Sequence, residues 1–183
     1  MKYEEIPLVS DPPVISLRLE RYDDIFSDFD IRPYPSRALS VDFLDEIKRA
    51  SQDKEDVGVE LMLHMPEKER NESRETTIKE RLTAHFKKHH LLLQEERKRI
   101  LKFGIGMVVM GIFCMVAATF IIFKDPSDNI LLSFLVIFLE PAAWFLLWEG
   151  MDQIIFNSKN VNPELSFYRK MSHAKSHAHF KSY

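Results

Sequence analysis

The sequence predicts an α+β protein in which a small cytoplasmic sheet-and-helix domain is joined to a two-helix transmembrane hairpin. Three observations predict it. Residues 103–123 contain no charged side chain and residues 130–148 contain one, Glu140. Each stretch therefore approaches the ~20 apolar residues that an α-helix needs to cross a bilayer core. The residues between them, 124–129, form a turn too short to hold a domain. Ahead of the hairpin, two runs alternate apolar and polar side chains. They are followed by a charged stretch, Glu67 to Lys102, that lacks both Pro and Gly and can run as one stalk helix into the first span.

The expected division is a cytoplasmic α+β domain over 1–66, a stalk helix over 67–102, spans over 103–123 and 130–148 around an external turn at 124–129, and a tail over 149–183 that docks on the N-terminal domain. Residues 1–13 read as an arm that ends in Asp11, Pro12 and Pro13, two prolines that remove consecutive donors. Nothing in Met1–Ser10 has the pattern of a cleaved signal peptide, so the first span is expected to serve as its own insertion signal. Ile15, Leu17 and Leu19 alternate with Ser16, Arg18 and Glu20, which predicts a strand with one wet face. Residues 22–37 break at Pro33 and Pro35 and are expected to form a loop packed by Tyr22, Phe26, Phe29 and Tyr34.

Ser40 is placed to cap a short helix whose apolar face carries Phe43, Leu44, Ile47 and Ala50. A second strand is expected through Gly58, with Val57, Val59, Leu61, Leu63 and Met65 on one face and Pro66 ending it. Two strands make a marginal sheet, so a third must come from the C-terminal tail, from within residues 22–31, or from another subunit. Along the stalk, Ile78, Leu82, Phe86, Leu93 and Ile100 mark a stripe too narrow to be buried within one domain, which calls for a neighbouring helix. Continued through the first span, that helix would be roughly 75 Å long and would couple the domain mechanically to the membrane. Asn157, Asn160, Asn162 and Pro163 read as a turn-rich linker, after which Phe167 to Phe180 can supply the missing strand.

Charge sets the orientation and the partners. Arg97, Lys98, Arg99 and Lys102 precede the first span, and Lys159, Arg169 and Lys170 follow the second, so both termini are expected in the cytoplasm. There the Asn71-Glu72-Ser73 triplet would not be glycosylated. Residues 1–60 carry 15 acidic and 8 basic side chains, whereas residues 67–102 carry 7 acidic and 11 basic. A basic segment next to the membrane suits an anionic leaflet, and the absence of a wholly basic face argues against nucleic acid as a partner. The single cysteine, Cys114, lies in the first span and excludes an intrachain disulfide framework.

Glu140 lies deep in the second span, where an ionised carboxylate is costly, and Pro141 frees the carbonyl of Ile137 beside it. One reading is an ion or proton site built from several copies. The other is a protonated carboxyl hydrogen-bonded to a backbone carbonyl or to Ser133, Thr119 or Cys114 across a helix interface. Gly104, Gly111 and Ala118, spaced by seven, offer a close-packing stripe to the second span or to a neighbouring subunit. Trp144, Trp148, Asp152 and Phe156 recur every fourth residue and read as an interfacial belt, with Asp152 within reach of Arg97, Lys98 or Arg99. His85 and His89, and His173 and His177, have the i,i+4 spacing of metal ligands. The absence of a local cysteine or a carboxylate at ligand spacing, with Lys87, Lys88 and Lys175 nearby, makes solvated or hydrogen-bonded histidines the expectation and metal none. No phosphate loop, nucleophile elbow or paired-carboxylate constellation is present, so neither a cofactor nor an enzyme is expected.

The segment Trp144, Trp148, Glu149, Asp152 and Phe156, followed by Phe167, Tyr168, Arg169 and Lys170, resembles a family of uncharacterised small bacterial inner-membrane proteins with two transmembrane helices. The basic stalk from His85 to Lys102 fits the same layout. Members tend to carry Trp and Pro just after the acidic position, where this chain has Phe156, Asn157 and Ser158. The resemblance implies the topology and an inner-membrane location, and no activity. The expected function is a self-assembling scaffold. A small ion or proton channel using Glu140, and a regulatory subunit of another membrane protein, are the alternatives.

Overall fold

The computed structural model describes residues 14–52, 59–124, 129–173 and 178–183. The expected N-terminal arm, Val57 and Gly58 of the second strand, Asp125 to Asp128 of the turn, His177 and the side chain of His173 lie outside the described residues. The elements in chain order are β1 (Val14–Arg18), α1 (Val41–Ser51), β2 (Glu60–Met65), α2 (Glu72–Phe123), α3 (Ile130–Asp152), α4 (Ser158–His173) and β3 (His179–Ser182). The chain forms two compact units, Met1–His90 with Ser166–Tyr183, and Leu91–Leu165.

The first unit is α+β. Its sheet has the order β1-β2-β3 and is parallel throughout, with Leu17 opposite Leu63 and Leu63 opposite Phe180. The C-terminal tail thus supplies the third strand, at His179–Ser182, and Tyr183 N donates to Met65 O at 3.1 Å. Period-two alternation puts Leu61, Leu63 and Met65 on the buried face of β2. Ile15, Ile25, Phe26, Phe43, Ile47, Ile78, Leu82 and Phe86 complete the core with Phe167, Met171 and Phe180.

Several local expectations need correction. Phe29 does not pack the 22–37 loop: it is 100% exposed and Ile31 98%. Asp30 between them accepts a hydrogen bond from Ala38 N at 2.6 Å and a bidentate pair from Arg32, Nε to Oδ1 and Nη2 to Oδ2, and this fixed turn leaves both apolar side chains outside. The rest of the loop is a 3-10 turn at Tyr22–Ile25 and a bridge from Phe26 to Leu39, with Tyr34 stacked on Phe26 at 5.0 Å. Ser40 occupies the cap position of α1 but makes no side-chain cap; its N–H instead donates to Ile25 O at 2.9 Å.

The stalk helix begins at Glu72 rather than Glu67, because Glu67–Glu69 form a 3-10 turn and Asn71 caps α2, accepting from Arg74 N at 3.1 Å. Ile78, Leu82 and Phe86 are buried in the domain itself, so the first half of the stripe needs no other subunit. The expected linker over Asn157–Pro163 is helical. Gln153–Asn157 form a π-turn and α4 continues directly, with Pro163 inside it. An internal proline costs about 3 kcal/mol. Phe167 and Met171, four apart and buried in the core, offset it further along the same helix.

Candidate functional site

In the second unit, the seam between α2 and α3 is built from small residues. A Cβ at Gly104 would stand 3.0 Å from Gly150 O, and one at Gly111 would stand 3.0 Å from Ala143 O. Gly150, in turn, has room for no Cβ, which would lie 2.7 Å from Val108 Cγ2 and 2.8 Å from Gly104 O. Ala118 is buried on the same stripe, so Gly104, Gly111 and Ala118 all sit in or beside contacts made within the chain. Gly150 and Ala143 were not singled out from the sequence. Their seven-residue spacing, the same as that of Gly104 and Gly111, is the signal that could have found them.

Glu140 is exposed, and no hydrogen bond or ion pair links it to another of the described residues. The reading in which it bonds across the seam is therefore not realised within one chain. Thr119 Oγ1 donates to Met115 O of its own helix at 2.9 Å. Ser133 and Cys114 are half-buried. Asn129 caps α3, accepting from Leu131 N at 3.0 Å.

Trp144, Trp148 and Phe156 are exposed, whereas Asp152 is half-buried and makes no ion pair with Arg97, Lys98 or Arg99. The antiparallel register explains this correction. Gly104 lies against Gly150, Gln153 and Ile154, which places Arg97 about two turns beyond the level of Asp152. All four basic residues, Arg97, Lys98, Arg99 and Lys102, are exposed. At the π-turn, Asn157 donates to Gln153 Oε1 and Gln153 donates to Glu149 Oε1, each at 2.9 Å. This polar ladder went unread in the sequence, although polar residues four apart beside Ile154, Ile155 and Phe156 could have marked it.

In the first unit, Glu75 is 4% exposed and accepts two hydrogen bonds from Arg70, at 2.9 and 3.0 Å, and one from the Tyr22 hydroxyl at 3.1 Å. Arg70 also donates to Ser182 Oγ on β3 at 3.1 Å, and Asn71 N donates to the Tyr22 oxygen at 2.7 Å. The Arg70 guanidinium, aided by Tyr22, holds the Glu75 carboxyl below the usual range. Its chemistry is structural: it locks the start of α2 to the sheet.

His85 and His89 have ring centroids 4.2 Å apart, and His89 stacks on Tyr168 of α4 at 5.1 Å. His85 Nε2 is buried with no hydrogen-bond partner among the described residues, and no group of three or more metal-ligating side chains occurs among them. Burial, with His89, Arg81 and Lys88 adding like charge, lowers the His85 pKa from 6.5 to about 4. The folded state therefore keeps the imidazole neutral where the unfolded chain would protonate it. Stability is expected to be full above about pH 6.5 and to fall by ~1–2 kcal/mol as the pH drops toward 4, after discounting for partial solvent screening. Melting the full chain in mild detergent across that range checks it. An unchanged slope in H85L would refute the assignment to this ring.

The arrangement defines a class of protein: an α+β domain whose chain also carries two helices long and apolar enough to cross a membrane. The apolar windows of these helices are only 11% and 6% buried by the rest of the chain. Compared with protein-family models, with curated proteins and with solved structures, the chain gives no match.

Proposed function

We propose that the protein is a self-assembling integral membrane scaffold, with α2 and α3 forming a hairpin across a bacterial inner membrane and both termini in the cytoplasm. The observation that carries self-assembly is the exposed Glu140, without a partner among the described residues, in an apolar helix whose small-residue contacts are already used within the chain. A carboxyl at membrane depth gains by facing a partner, and a second copy offers polar side chains at the same depth. Exposure of the apolar windows supports the bilayer as their surroundings, since a core helix of a soluble domain buries most of its surface.

The mass of the detergent-extracted particle tests this reading. A single discrete mass at a multiple of 21.6 kDa is expected, falling to a smaller species in Glu140→Leu. A monomer, or a complex with an unrelated protein, would refute it. The same carboxylate supports a second reading as an ion or proton path. Flux through reconstituted protein that disappears in Glu140→Ala separates the channel from the scaffold. The exposed Phe29 and Ile31, held by the Asp30 turn, support a third, a regulatory subunit that docks on another membrane protein.

A further inference from the structure

An open groove of about 430 Å³ runs along α2 and is closed on one side by Leu146 of α3. Arg99 and Lys102 stand at one end, and Phe103, Gly106, Met107 and Met110 continue it, all on one helical face by their three- and four-residue spacing. The groove is thus polarised, with two cations at one end and only apolar surface beyond them. No carboxylate lines it, and neither Arg99 nor Lys102 makes an ion pair among the described residues.

Gly106 adds an independent observation. At Gly104 and Gly111 an added Cβ would collide with α3 or the segment after it, and at Gly150 with α2, whereas at Gly106 it would meet nothing within 4 Å. Its small size is therefore not used for packing within the chain and opens the groove outward. From Arg99 to Met110 the helix rises roughly 17 Å, close to the ~15 Å that half of a bilayer core provides.

We propose that this groove binds one anionic diacyl phospholipid of the cytoplasmic leaflet, its phosphate against Arg99 and Lys102 and an acyl chain along Phe103, Gly106, Met107 and Met110. The proposal rests on the membrane reading above. Charge complementarity selects the head group, and the apolar trough selects a lipid over a free anion. The flexible methionines let the groove fit a hydrocarbon chain.

The test uses full-length protein in phosphatidylcholine vesicles with or without phosphatidylglycerol, followed by native mass spectrometry of lipids retained after detergent extraction. One phosphatidylglycerol per chain is expected, preferred roughly tenfold over phosphatidylcholine. Arg99→Gln with Lys102→Gln should abolish the preference, and Gly106→Leu should abolish retention with the fold intact. Arg97→Gln with Lys98→Gln, which removes the same charge elsewhere, should leave both unchanged. Equal loss in that control, or competition by glycerol phosphate alone, would overturn the proposal. So would a Gly106→Leu variant that loses self-association while keeping its lipid, since a second copy would then occupy the groove. Protein that fails to float with vesicles would overturn the membrane reading as well, whereas protein that floats without lipid preference would overturn this proposal only.

Discussion

Replacing Glu75 with alanine is expected to destabilise the sheet domain by about 1–3 kcal/mol, because it removes the hydrogen bonds that Arg70 and Tyr22 donate to the carboxylate and leaves the half-buried Arg70 guanidinium without its partner. Glu75 joins Arg70 and Tyr22, and Arg70 reaches Ser182 on β3, so the loss spreads from the start of α2 to the C-terminal strand. Tyr22 also packs edge-on against Phe180 at 5.7 Å, which couples the same network to the β3 side of the core. Thermal melts of the full chain, with amide exchange in β2 and β3, measure the effect. Arg70→Ala should cost a similar amount, and the double variant much less than the sum of the two. A Glu75→Ala variant as stable as the parent would show that the pair contributes nothing net.

Acid should weaken the same network. The Glu75 carboxyl titrates below its unfolded value of 4.5, so its contribution is present above that pH and is lost as the pH falls through the folded value. This lies below the window in which His85 begins to act, so acid unfolding is expected to begin with the histidine and to complete with the carboxylate.

Gly150→Val is expected to open the seam between α2 and α3 at a cost of about 1–3 kcal/mol or more. The new Cβ would stand 2.8 Å from Gly104 O, a backbone atom that cannot swing aside. Gly106→Val is the matched control, since its Cβ meets open space. It should be close to neutral, gaining a few tenths of a kcal/mol from the lost backbone freedom of glycine. Amide exchange along α3 in detergent reads both variants. Equal protection in the two would mean that the seam is not the close contact these distances describe.

Much of the fold was legible in the sequence because it depends on periodicity. Alternation in Ile15–Leu19 and Leu61–Met65 marked the first two strands, and the breaker-free charged run followed by an uncharged one marked a helix that continues into an apolar segment. These patterns reflect which face of each element meets water, and each is encoded locally. The small-residue stripe at Gly104, Gly111 and Ala118 was legible for the same reason.

What the tertiary structure alone decided depends on distant partners. It selected the C-terminal residues His179–Ser182 as the third strand and made the sheet parallel, a choice set by backbone pairing with β2 across more than a hundred intervening residues. It turned an Asn- and Pro-rich linker into helix, since Phe167 and Met171 gain more from burial than the turn-forming residues gain from a break. It also chose α3 as the partner of the glycine stripe and left Glu140 exposed. Spacing can define a face, but only packing decides what that face meets.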